Sequence, residues 1–212
     1  MITVITGHYG SGKSTIAAHL SAKAAENKSR SVCIVDMDTV NPYFRTADLE
    51  EYLNTHGVTL IAPMYARTNL DVPVLNYDIE AICGQYDDVF IDMGGDYAGA
   101  YPLGRYRRFL SARDDVEVLY TVNFRRFLTQ TAEEAAEVMN EIVTACGLKI
   151  TGIVNNTNLG KLTDADIISD GVSKANMLSE LTGVPVFFST APGFTDIDGF
   201  MPIEILMKSA DD

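Results

Sequence analysis

Gly7-His8-Tyr9-Gly10-Ser11-Gly12-Lys13-Ser14 fits the pattern G-x-x-x-x-G-K-[ST]. Glycines let the chain double back so that successive backbone N–H groups point inward around phosphate oxygens. The helix that must follow, expected from Ser14 to Lys23, turns its positive end toward the same oxygens. Lys13 is placed to reach the β- and γ-phosphates, and the Ser14 hydroxyl to ligate Mg²⁺. The expected nucleotide contacts are Gly7, Tyr9, Gly10, Ser11, Gly12, Lys13, Ser14 and Thr15.

Such a loop calls for carboxylates at neighbouring strand ends. Asp88-Val89-Phe90-Ile91-Asp92 is an apolar run ending in an aspartate and followed by Met93-Gly94-Gly95. Asp92 is expected in the magnesium shell, and Gly95 is expected to bring a backbone N–H near the γ-phosphate. A second acidic element, the pair Asp36 and Asp38, closes another apolar run. Carboxylates two residues apart point the same way along an extended chain, so both face the metal-bound triphosphate, where they can orient an attacking water.

Elements of fixed type must hold these residues together. Apolar β-type runs occur at 2–6, 31–36, 58–62, 88–92, 116–122, 150–155 and 184–189. Most are continuous rather than alternating, the pattern of strands covered on both faces, as in a parallel sheet. Between them lie helical patterns. From Thr131 to Cys146, Ala132, Ala135, Ala136, Met139, Ile142, Val143 and Cys146 make one apolar face. Thr131 with Glu134 reads as a capping box and Gly147 as the stop. A weaker helical stretch runs from Thr163 to Leu181. The expectation is an α/β fold: a doubly wound, mostly parallel sheet of about seven strands with helices on both faces, forming one nucleotide-binding domain over residues 1–212.

Composition narrows the function. The chain has 212 residues, 47% of them apolar, enough for a full core. Sixteen Lys and Arg against 29 Asp and Glu give a net charge of −13, a field that repels nucleic-acid backbones. No apolar run is long enough to span a membrane and no signal peptide is visible, so a cytoplasmic location is expected. The three cysteines, Cys33, Cys83 and Cys146, lie far apart with no C-x-x-C, and His8, His19 and His56 are too scattered for a zinc site. Arg105, Arg107 and Arg108, and Arg125 with Arg126, are the local basic clusters. Residues 203–208 read as a short docked terminal helix.

The order of phosphate loop, paired aspartates and D-x-x-G resembles the MinD/ParA/CobQ nucleotide-binding group within the SIMIBI class of P-loop proteins. The run Asp38-Thr39-Val40-Asn41-Pro42-Tyr43-Phe44-Arg45 and the run Gly94-Gly95-Asp96 are shared with some of its members. The resemblance implies a Mg²⁺-dependent ATPase that switches conformation on an unknown protein partner or small-molecule substrate. Asp38 then matches the catalytic switch I aspartate, acting with Lys13, and Asp36 its neighbour near the metal. In Gly152-Ile153-Val154-Asn155-Asn156, Asn155 matches the reader of the base, and Pro192, expected after the last strand, matches the loop packing on it. Tyr43, Phe44 and Tyr97 are candidate partner or substrate contacts. One departure concerns His8, which stands where the family carries an early lysine that reaches a dimer partner's nucleotide. A monomer or weak nucleotide-dependent homodimer is therefore expected, with Arg45, Arg105 or Arg125 as replacement cations. Alternatives on the same fold are an ATP-dependent metabolic transferase or ligase, and a GTPase of the metallochaperone type, although no N-K-x-D for guanine is found.

Overall fold

A computed structural model describes residues 1–38, 46–62, 78–193, 198–204 and 206. Eight strands form one sheet: β1 (Ile2–Thr6), β2 (Val32–Asp36), β3 (Thr59–Ile61), β4 (Asp88–Asp92), β5 (Val116–Val122), β6 (Gly152–Asn155), β7 (Val186–Pro192) and β8 (Met201–Ile203). Their order is β3-β2-β4-β1-β5-β6-β7-β8, and every recorded pairing is parallel. The helices are α1 (Lys13–Ala24), α2 (Glu50–Thr55), α3 (Ile79–Gln85), α4 (Tyr97–Ala100), α5 (Arg107–Ser111), α6 (Ala132–Cys146) and α7 (Ala165–Thr182).

Period-two alternation assigns the strand side chains to two cores. Ile2, Val4, Cys33, Val35, Val89, Ile91, Val118 and Tyr120 pack on one face with residues of α3, α5, α6 and α7. Ile5, Ile34, Phe90, Leu119 and Val154 pack on the other with Ile16, Ala17 and Ala18 of α1 and Leu53 of α2. Burial on both faces accounts for the continuous apolar runs. In α6 the Thr131 hydroxyl accepts from the Glu134 N–H at 3.2 Å while the Glu134 carboxylate accepts from the Thr131 N–H, and Gly147 ends the helix.

Two expectations change at the C-terminal side. The last long strand does not stop at Ser189. It continues through Ala191 and Pro192, because an eighth strand pairs there, with Thr190 opposite Met201 and Pro192 opposite Ile203. Ile203 ends that strand instead of opening a terminal helix, and Gly193 N–H donates to its carbonyl at 2.8 Å. Pro202 is tolerated because β8 lies on the sheet edge. Of the rest of the expected helix, Glu204 and Leu206 are described and neither is helical, and residues 205, 207 and 208 lie outside the described residues. Among the described residues no helix is long and apolar enough to cross a membrane.

Candidate functional site

Register builds the site before any side chain does. β4 pairs with β2 so that Asp92 stands opposite Asp36, and with β1 so that Asp92 stands opposite Ile5. Two carboxylates and the start of the glycine-rich loop thus meet at the carboxyl ends of three adjacent strands. Gly12 leads into α1 with φ 88°, a left-handed conformation that favours glycine, and a Cβ there would overlap the Asn156 amide. Gly95 is required by close approach: a Cβ there would overlap the Gly7 carbonyl, so the D-x-x-G segment lies directly on the loop. Thr6 Oγ1 donates to the Gly94 carbonyl at 3.2 Å and joins the same two segments.

Lys13, the first residue of α1, is buried, and its Nζ lies 2.8 Å from Asp38 Oδ2. Asp38 N–H donates to Asp36 Oδ1 at 3.1 Å, and Thr46 Oγ1 donates to Asp92 Oδ2 at 2.6 Å. One lysine therefore faces three buried carboxylates. Burial works to strip its proton, but Asp92, Asp38 and Asp36 outweigh burial and hold its pKa above the usual lysine value. Burial pushes the Asp92 carboxyl up, opposed by Lys13 and by the Ser14 and Thr46 hydroxyls. Burial also lowers the His8 pKa against the pull of Asp96, so His8 is neutral at pH 7 and adds no charge to the loop.

Asn155 and Asn156 have different surroundings. The Asn156 amide donates to the Ser11 carbonyl at 2.7 Å and accepts from Thr190 Oγ1 at 2.6 Å, bracing the loop from β6. Asn155 is buried at the strand end, its oxygen accepting from Thr157 N–H and Oγ1 and its amino group donating to Ser189 Oγ at 3.1 Å. Pro192 is buried in β7 rather than in a loop after it. The loop residues Gly7–Thr15, with Asp36, Asp38, Asp92 and Gly95, are brought together; Tyr9 turns its side chain to solvent, 56% exposed. Arg105, Arg107 and Arg108 are not part of this cluster: the Arg107 stem covers Gly147, and Arg105 lies 6.0 Å from the Tyr106 ring centre. Arg125 is paired with Asp170 at 3.1 Å, and exposed Tyr97 stacks on Tyr101. Asn41, Pro42, Tyr43, Phe44 and Arg45 lie outside the described residues. Thr46, Asn156 and Arg126 join the site without a motif that marks them. The sequence signals are the adjacency of Asn156 to Asn155 and the basic pair Arg125 and Arg126.

This fold and this cluster define a P-loop nucleotide-binding protein. The family model for the CobQ/CobB/MinD/ParA nucleotide binding domain matches residues 2–181. The chain belongs to that family. Similar solved structures include FtsY from Mycoplasma mycoides, 18% identical with a TM-score of 0.61, covering 90% of this chain and 60% of that one. FlhF complexed with GMPPNP/Mg(2+) is 17% identical with a TM-score of 0.57, covering 90% and 66%. FtsY from Thermotoga maritima is 18% identical with a TM-score of 0.56, covering 91% and 62%. At such identities these share the fold, and the chain spans less than two thirds of the length of each. No curated protein matches the chain.

Proposed function

We propose that this protein is a Mg²⁺-dependent ATP-binding protein and ATPase whose nucleotide state sets a conformation read by a protein partner. The observation that carries this reading is the convergence of Lys13, Ser14, Asp36, Asp38 and Asp92 on one glycine-rich loop, with Lys13 Nζ 2.8 Å from Asp38. Family membership supports nucleotide binding; adenine rather than guanine rests on the resemblance of Asn155 and on the lack of N-K-x-D.

The donor set suits magnesium. Among the described residues Asp92 Oδ1 is buried with no hydrogen-bond partner, and the Ser14 hydroxyl and Asp36 complete a group of hard oxygen donors. Ser14, Asp36 and Asp92 would hold the ion, which supplies charge neutralisation to the phosphates. Lys13 binds the β- and γ-phosphates, giving up Asp38 as its counter-ion. Asp38 then accepts a hydrogen bond from the water that attacks the γ-phosphate. Thr46 on Asp92 joins the chain after Asp38 to the end of β4, and Gly95 on Gly7 lays the D-x-x-G segment on the loop, so loss of the γ-phosphate would reach both segments.

A second reading, GTP in place of ATP, is favoured by FlhF, whose solved complexes hold GMPPNP or GTP with Mg²⁺. A thermal-shift titration separates the two. Mg-ATP at about 100 times its Kd should add about 2.7 kcal/mol, or roughly 5–10 °C for a domain of this size. Equal or greater protection by Mg-GTP overturns the adenine assignment, and failure to release phosphate from either nucleotide overturns the hydrolase.

A further inference from the structure

A nucleotide brings several negative charges to a site where Lys13 already faces Asp36, Asp38 and Asp92. It needs positive charge beyond Lys13 and a bound cation, and neutral His8 does not provide it. Arg126 approaches the loop from the outside. Its Nε–H donates to the Gly10 carbonyl at 3.1 Å, and its Cδ lies 3.4 Å from where a Cβ of Gly10 would stand. Among the described residues no other hydrogen bond or ion pair engages the Arg126 guanidinium, whereas neighbouring Arg125 is committed to Asp170.

The segment that presents Arg126 is firmly built. Asn123 accepts from the Arg125 N–H at 2.9 Å and donates to the Asn158 carbonyl at 3.1 Å. The Arg126 N–H donates to the Asn123 carbonyl at 3.1 Å, and Thr129 Oγ1 caps the same carbonyl at 2.9 Å. Phe124 is buried beneath. Leu128 has φ 65°, the one non-glycine residue in the left-handed region among those described. Such strain persists only where the surroundings over-determine it, and it gathers at functional segments.

We propose that Arg126 is a positioning residue of the nucleotide site: it turns the Gly10 carbonyl outward and gives the phosphate loop its second positive charge. Asn156 does the same for the Ser11 carbonyl with a neutral, buried amide. The division is physical. A guanidinium stays charged at every working pH, and one N–H on the carbonyl leaves four others for an anion. This inference rests on the nucleotide-binding reading above.

Titration calorimetry with Mg-ATP and Mg-ADP, on wild type and on Arg126→Ala, Arg126→Gln and Arg126→Lys at low and high salt, tests it. Arg126→Ala should bind Mg-ATP about 10-fold more weakly at low salt, as expected for a lost charge-assisted contact. Arg126→Gln, which keeps an N–H but no charge, should also lose affinity, more for ATP than for ADP, and Arg126→Lys should recover part of it. Millimolar guanidinium should partly restore Arg126→Ala where equal NaCl does not. Wild-type affinity in Arg126→Ala and Arg126→Gln overturns the inference and leaves the function standing. Weakened binding that tracks a lowered nucleotide-free Tm, without guanidinium rescue, overturns it in favour of a purely structural contact. A wild-type protein that binds no Mg-nucleotide overturns the proposed function, and this inference with it.

Discussion

Lys13 keeps its proton against burial because three carboxylates surround it. Removing it should do more than weaken one contact. Lys13→Ala leaves Asp36, Asp38 and Asp92 facing one another, so we expect hydrolysis to be lost and triphosphate binding to fall about 10- to 100-fold, measured by calorimetry and phosphate release. Asp38→Asn should behave differently. It frees Lys13 of a 2.8 Å counter-ion, so binding should hold or tighten, while turnover falls about 100-fold or more with the loss of the group that orients water. Normal turnover in Asp38→Asn would remove it from the chemistry. Asn156→Ala leaves the Ser11 carbonyl and Thr190 Oγ1 without their amide partner, and about 1–3 kcal/mol of stability should go with it in urea unfolding. The placement of the glycine-rich loop, the Asp36 and Asp38 pair and Asp92 beside one another was readable because such a cluster depends on local spacing. Asn156 on Ser11, Thr46 on Asp92 and Arg126 on Gly10 span 145, 46 and 116 residues of sequence, and no local pattern records a contact made only on folding.

At the scale of elements, β1, β4 and β5 agree with the apolar runs residue for residue, because strands buried on both faces leave no alternation to blur their ends. β8 was not readable. Three residues containing a proline look like the approach to a helix, and only pairing to β7 makes them a strand. A histidine fastens this element to α1. His19 Nε2 accepts the Glu204 N–H at 3.0 Å, which requires a neutral ring whose Nδ1–H donates to the Thr15 carbonyl at 3.0 Å. Tyr52 and His56 stack beside it, with the Glu204 carboxylate also near. Burial lowers the His19 pKa, with the Thr15 carbonyl and Glu204 opposing. The sign follows: a cationic group with a lowered folded pKa contributes its full stabilisation above about 6.5 and loses it as pH falls through the lower folded value. The protection factors of the residue 201, 203 and 204 amides, corrected for the intrinsic slowing of exchange at lower pH, should therefore fall between pH 7 and pH 5. In His19→Phe that pH dependence should disappear, with protection already reduced at pH 7. An unchanged profile in the variant would show that the ring does not hold the strand.

For the whole molecule, charge and assembly are linked. A face-to-face dimer across two nucleotides would need positive charge from each chain entering its partner's site, where each triphosphate adds negative charge. The loop position suited to that task holds His8, neutral at pH 7 because burial lowers its pKa. The net charge of −13 opposes the approach of two copies, most strongly at low salt where screening is weak. Arg126 is engaged with its own loop, and Arg125 with its own α7, so neither described cation is projected to a second chain. We therefore expect a monomer without nucleotide and with ADP, and at most a weak, concentration-dependent dimer with a non-hydrolysable ATP analogue. His8→Lys should strengthen that dimer, because an ammonium on a longer side chain at this half-buried position adds charge beside the loop, where the analogue's phosphates lie. Light scattering in the three nucleotide states, at two salt concentrations and for both proteins, measures this. Dimerisation of His8→Lys should increase with the analogue and little without it. A tight dimer in every nucleotide state, indifferent to the substitution and to salt, would mean that assembly uses a surface remote from the phosphates and that His8 does not limit it.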